Sequence, residues 1–294
     1  MDDIAAIAAH RHTIEHLIPL LNAIRSVAEI AWRRAEQTLP PLTRYSEQMQ
    51  TVLETVVTSM EADTRSAITA GWSDEKTALL LVTSQRGLCG PFNDRVVAGG
   101  LKLARELTAQ GKRVNFICLG SRGRRLIEAR GKNSLYSRPL PSFSVPIYVD
   151  IEEVALDMLD LLEQQVFGRL IVIHNTPVRR FQYELTTNTL LPPDIAMPQH
   201  HPRRVSVKPV ADVPALVTHL LTEHMLIGLY RAVIESVISE QLARIYTMRL
   251  AVEHAEKLLE TLTLEYSLAR RHAETTSLLE IVTGYEATLD SSPQ

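Results

Sequence analysis

Apolar residues recur in steps of three or four along both ends of this chain, while the middle carries short aliphatic runs separated by polar turns. The C-terminal stripe runs Leu216, Leu220, Ile227, Tyr230, Ile234, Val237, Ile238, Leu242, Ile245, Met248, Val252, Ala255, Leu259, Leu262, Tyr266, Ala269 and Ala273. From Ala215 to Leu289 there is no proline, and the only glycines are Gly228 and Gly284. Such a stretch predicts one helix, roughly 110 Å long at about 1.5 Å per residue. A helix of that length cannot bury its stripe within itself. It needs a partner helix, with Glu253, Glu256, Lys257 and Arg270 keeping its other faces in water.

The N-terminal segment supplies that partner. Ile14, Leu17, Leu21, Ile24, Val27, Ala28 and Ala31 form a second stripe, continued by Met49, Val52, Leu53, Val56 and Met60. Pro19 lies inside this pattern and Pro40-Pro41 interrupts it, which predicts a bend or break near residue 40, because proline removes a helical donor and crowds the preceding turn.

At Gly71-Trp72-Ser73 the pattern changes. Thr77–Thr83, Arg113–Leu119 and Leu170–His174 read as buried strands, alternating with helices at Asn93–Gln110, Ser121–Ala129 and Ile151–Phe167. Strand, helix, strand in this order predicts a parallel sheet with right-handed crossovers. Phe181–Leu190 and Arg204–Val207 read as less buried strands, and the proline-rich run from Pro192 to Pro214 as a return to the long helix. The fold class is α/β. A long antiparallel helical hairpin, a coiled coil formed by both chain termini (residues 1–70 and 212–294), carries an inserted Rossmann-like α/β domain at 71–211.

Composition narrows the function. With 294 residues and 45% hydrophobic content the chain can bury a sizeable core, and a net charge of −3 indicates no nucleic-acid partner. Met-Asp-Asp at the start and the absence of an 18-residue apolar window predict a soluble chain, neither exported nor inserted directly in a membrane. The two cysteines, Cys89 and Cys118, border strand-like segments and read as buried structural thiols.

Four groups of residues invite a chemical reading. Arg86-Gly87-Leu88-Cys89-Gly90 follows a strand and precedes a helix, where a phosphate loop would sit. Its spacing fits neither dinucleotide nor mononucleotide fingerprints, so Gly87 and Gly90 read as structural turn residues. Gly120-Ser121-Arg122-Gly123-Arg124-Arg125 could hold an anion at a helix N-terminus, or be a solvated basic turn. Gln199-His200-His201 offers adjacent imidazoles that point to opposite faces of a strand. His10, His12 and His16 include one i,i+4 pair, His12 and His16, but lack a third ligand and read as surface or interface residues. No catalytic constellation, cofactor site or metal site is predicted.

Particular residues carry a family resemblance. Ser84-Gln85-Arg86-Gly87-Leu88-Cys89-Gly90-Pro91-Phe92-Asn93 is similar to a motif S-D-R-G-L-C-G-x-F-N. Near the C-terminus stand Ser239-Glu240, Ala243-Arg244, Met248, Leu262-Thr263-Leu264-Glu265-Tyr266, Ala269-Arg270 and Glu280-Ile281-Val282 with Gly284; Arg33-Arg34-Ala35 adds a third stretch. On these the chain resembles the gamma subunit of rotary F-type ATP synthases over essentially its whole length. It departs from that family at Gln85, Ser267 and Arg271, and in Leu20-Leu21-Asn22-Ala23-Ile24-Arg25, where the family is rich in lysine. The departures fit a divergent gamma, such as one from a second, alternative type of F-ATPase.

The resemblance implies a non-catalytic rotor shaft. Its hairpin would lie in the cavity of three alpha and three beta subunits, coupling ion flow to ATP synthesis or hydrolysis by rotation. The α/β domain would sit beside the epsilon subunit and the c-ring, at the cytoplasmic face of the inner (plasma) membrane. Contacts to alpha and beta would come from Arg25, Arg270 and Arg271, and from Leu278, Leu279, Ile281 and Val282 in an apolar bearing. Against each arginine stands the reading of a solvated face, and against each aliphatic, simple helix-end packing. The competing class is an elongated coiled-coil scaffold whose Rossmann-like insertion binds a ligand or another partner.

Overall fold

The computed structural model describes residues 2–59, 75–141, 144–179, 182–193 and 213–290. Arg204–Val207 and Gln199-His200-His201 lie outside the described residues. In chain order the elements are α1 (Asp2–Ser59), β1 (Lys76–Val82), α2 (Phe92–Ala109), β2 (Arg113–Leu119), α3 (Ser121–Glu128), β3 (Ser134–Arg138), α4 (Tyr148–Glu163), β4 (Arg169–Arg179), β5 (Gln182–Leu191) and α5 (Val213–Asp290). Among the described residues, no helix is long and apolar enough to cross a membrane.

The sheet has the order β3-β2-β1-β4-β5. The first four strands are parallel, as the strand-helix alternation predicts, and β5 returns antiparallel to β4. β3 escaped the sequence reading because Ser-Leu-Tyr-Ser-Arg has no apolar run; it is a half-buried edge strand. Side-chain alternation along β1 divides the core between two faces. Leu79 and Leu81 pack with Val96, Val97 and Leu107 of α2 and Ile127 of α3. Ala78, Leu80 and Val82 face the other way, toward Ile151, Val154 and Met158 of α4 and the middle of α5. Truncating a fully buried leucine such as Leu80 to alanine costs about 2–5 kcal/mol.

The chain divides into two compact units, residues 1–26 with 247–294 and residues 27–246. In the first, Leu21 packs against Met248 and Val252, and the Arg11 guanidinium lies 5.0 Å from the centre of the Tyr266 ring. In the second, Leu53 and Val57 pack against Val217 and Leu220, while Ala35 and Leu42 join the core containing Leu226 to Leu242. Within each unit, rising numbers on α1 meet falling numbers on α5, so the helices pair antiparallel.

Of the bend or break expected near residue 40, α1 shows no break: its helix runs on through Pro19, Pro40 and Pro41. Pro40 and Pro41 are exposed, and so are Glu36 and Gln37, whose carbonyls lose their usual donors, so the defect lies on the watered side. Ala35 and Leu42 are buried on the opposite side and hold the helix through the defect.

α5 matches its predicted extent, yet its burial exceeds a single stripe. Every residue from 232 to 245 is buried. A helix with only one partner keeps a wet face; this segment has α1 on one side and the sheet with α4 on another.

Candidate functional site

The turn after β1 is organised by side chains from its own surroundings. Asn93, in the first turn of α2, accepts the Ser84 backbone N–H at 2.9 Å and donates from Nδ2 to the Ser84 hydroxyl (2.9 Å) and the Cys89 sulfur (3.3 Å). Ser84 Oγ donates to the Arg86 carbonyl at 2.5 Å. An amide side chain thus takes up polar groups inside this turn. Gly90 needs glycine for a left-handed backbone (φ 55°), and Leu88, with φ 66°, takes the same region without that freedom. Gly87, in the same turn, has no such angle; its missing Cβ makes room for the tip of Arg122, 2.4 Å from where that atom would be.

The same turn occupies the N-terminus of α3. Ser121 N–H donates to Gln85 Oε1 (3.1 Å), Arg122 N–H to the Ser84 carbonyl (3.1 Å) and Gly123 N–H to Thr83 Oγ1 (2.9 Å). These are donors an anion at the N-terminus of α3 would use, and all three are already satisfied within the chain. Gly120 combines φ 89° with a backbone contact, since a Cβ there would stand 2.1 Å from the Thr83 carbonyl oxygen.

Polar side chains buried between α5 and the sheet form the most constrained cluster. Arg244, almost wholly buried, donates from Nη2 to Glu240 Oε1 (2.5 Å) and the Gly87 carbonyl (3.4 Å), and from Nη1 to Gln241 Oε1 (2.7 Å). One guanidinium therefore ties α5 to the turn after β1. Burial pushes the Glu240 carboxyl above the usual range, and the Arg244 charge and hydrogen bond only partly oppose this. Burial first, and then the Glu240 charge, push the adjacent Cys89 thiol up. Burial, reinforced by the Glu128 charge, takes Cys118 to about 12.

A second group lies one turn earlier on α5. His174 Nε2 donates to Glu235 Oε2 at 2.8 Å, Thr176 Oγ1 donates to the same oxygen at 3.3 Å, and Arg231 Nε donates to Glu235 Oε1 at 2.9 Å. The acceptor-only carboxylate assigns the histidine proton to Nε2. Burial pushes Glu235 up, but the bonds and charges of His174 and Arg231 outweigh it and the net direction is down. Ser239 Oγ lies 3.0 Å from the Asn175 carbonyl, and Asn175 Nδ2 donates to the Phe92 carbonyl at 3.1 Å. These bonds join α5, β4 and α2.

The sequence reading named Ser239, Glu240 and Arg244 only as signature residues and passed over His174, Glu235, Gln85 and Asn93 as functional positions. One signal was present: Arg231, Glu235, Ser239, Glu240 and Arg244 recur at helical spacing inside an otherwise apolar stretch.

The residues singled out as partner contacts belong to the first unit, whereas Gly87 and Gly90 belong to the second. Arg25 is half-buried, and Arg271 is exposed. Arg270 is exposed and donates from Nε to Glu274 Oε1 at 2.8 Å. Leu278, Leu279, Ile281 and Val282 are 64%, 60%, 68% and 52% exposed on one stretch of α5. Among the described residues no group of three or more His, Cys, Asp or Glu side chains is placed to hold a metal ion.

Comparison with known proteins bears on the whole chain. The sequence is 26% identical over 277 residues to the ATP synthase gamma chain of Geotalea uraniireducens, covering 94% of this chain and 95% of the relative. It is 27% identical over 302 residues to that of Rhizorhabdus wittichii, covering 98% and 100%. The fold is similar to a chain in the cryo-EM structure of Euglena gracilis mitochondrial ATP synthase, OSCP/F1/c-ring, with a TM-score of 0.71 at 14% identity over 100% of this chain and 97% of that one. A chain of the central stalk/c-ring structure from Tetrahymena thermophila gives 0.57 at 17% identity, covering 79% and 99%. The ATP synthase family profile matches residues 4–288, and the protein is a member of that family, in its gamma branch.

Proposed function

We propose that this chain is the central-stalk rotor subunit of a rotary F-type ATP synthase or ATPase, itself without a catalytic site. The observation that carries this reading, beside family membership, is the end of α5. Four large aliphatic side chains, Leu278, Leu279, Ile281 and Val282, are more than half exposed there on a continuous helix. Aliphatic side chains left in water at this density need a partner surface. A collar of three alpha and three beta subunits supplies one, and an apolar bearing keeps barriers to sliding low because neither partner must break hydrogen bonds as it turns.

In this reading residues 1–70 and 212–294 form the shaft and 71–211 the α/β domain, which meets the epsilon subunit and the c-ring at the cytoplasmic face of the membrane. Glu235 fastens α5 to β4 through His174, and Arg244 fastens it to the turn after β1, so torque applied to α5 is carried by the α/β domain. Arg25, Arg270 and Arg271 contact alpha or beta. Arg270→Ala is expected to leave assembly intact and weaken ATP-driven ion pumping; unchanged pumping removes Arg270 from the contact set. The departures Gln85, Ser267 and Arg271 favour an alternative type of F-ATPase.

The test is co-expression with alpha and beta subunits from the same source, followed by native mass spectrometry and an ATPase assay. One copy of this chain with three alphas and three betas, and ATPase activity dependent on it, is expected. Folded partners that leave the chain unbound would overturn the rotor reading and favour the coiled-coil scaffold.

A further inference from the structure

His12 and His16 stand one turn apart on the exposed side of α1. Their Nε2 atoms are 3.1 Å apart, and their rings meet edge to face with centroids separated by 4.2 Å. Two nitrogens bound to one metal at about 2.0–2.1 Å, with an angle between 90° and tetrahedral, are themselves roughly 2.8–3.4 Å apart. The pair therefore already sits at a chelating separation, with both nitrogens facing each other rather than an apolar neighbour.

We propose that His12 and His16 form a bidentate site for a divalent transition metal that favours imidazole, with Cu²⁺ bound more tightly than Zn²⁺. In the metal-free chain one Nε2–H donates to the other ring's Nε2. On binding, the donor ring carries its proton on Nδ1 instead, so both Nε2 lone pairs reach the metal and no net charge change is needed in either ring. No third His, Cys, Asp or Glu completes the cluster among the described residues. The remaining coordination positions go to water. Hard cations such as Mg²⁺, which favour oxygen ligands, are excluded by the donor set.

The full chain, stripped of metal by dialysis, is titrated with Cu²⁺ alone by calorimetry and followed by electron paramagnetic resonance. The expected result is a saturable site with hyperfine coupling to two nitrogens. His16→Asn should weaken it about 100-fold through loss of the chelate's second arm, while His10→Asn leaves it unchanged. Both side chains are exposed, so the variants should fold, which unchanged helical circular dichroism checks. No saturable binding, equal affinity in the wild type and His16→Asn, or loss confined to His200→Asn or His201→Asn would each overturn the assignment.

Discussion

Replacing Arg244 with methionine removes a guanidinium that serves Glu240, Gln241 and the Gly87 carbonyl at once. Methionine fills much of the space, so the cost comes mainly from stranding Glu240 in a site where its side chain is 9% exposed. Breaking a buried pair in this way costs about 3–5 kcal/mol. At about 2–4 °C per kcal/mol for a unit of this size, the melting temperature should fall by roughly 6–20 °C. The double variant Glu240→Leu/Arg244→Met removes both charges and should recover most of the loss. The pH dependence gives an independent sign. Glu240 has a raised folded-state pKa, so its ionisation opposes folding. That penalty is absent below the unfolded carboxyl range, grows as pH rises toward the folded value and is complete above it. Without Arg244 it grows further, so the deficit of Arg244→Met should shrink as the solution is acidified. Urea denaturation across pH, read by circular dichroism, measures both effects. A single variant within about 1 kcal/mol of wild type, or a double variant no more stable than the single, would refute the argument.

The neighbouring Glu235 should behave oppositely. Its lowered folded-state pKa contributes stability above the unfolded carboxyl range that is lost as pH falls through the folded value, so Glu235→Gln should flatten the acid limb of a denaturation profile. Gly120→Ala meets both a left-handed backbone and the Thr83 carbonyl, whereas Gly111→Ala, at φ 79°, has nothing within 4 Å of the added carbon. Denaturation should show about 1 kcal/mol lost at Gly111 and clearly more at Gly120. Cys89 and Cys118 are buried with raised thiol pKa values, so a chromogenic disulfide reagent at pH 8 should react with neither until urea is added; fast labelling of native protein would contradict their placement.

Local patterning carried much of the fold. The uninterrupted stripe from Leu216 to Ala273 predicted α5 nearly to the residue, because helical spacing and the absence of proline are properties of consecutive positions. β1, β2 and the start of β4 were legible for the same reason, as aliphatic runs of strand length bounded by turns. The family resemblance also lay in the sequence, since its motifs are contiguous. By contrast, β3 and the antiparallel return of β5 depend on neighbouring strands that the local pattern does not name.

The tertiary structure alone decided how polar and irregular residues are used. Pro40 and Pro41 stay helical because Ala35 and Leu42 are buried on the opposite side, a matter of packing rather than propensity. Gln85 and Thr83 reach α3 only because β1 and β2 bring residues more than 30 apart in the chain together, and that meeting closes the amides an anion would need. Arg244 reads along the sequence as one more charge on a long amphipathic helix. Its burial goes with a contact to the turn after β1, which arrives at α5 from a distant part of the chain, and only then does a surface charge become a joint.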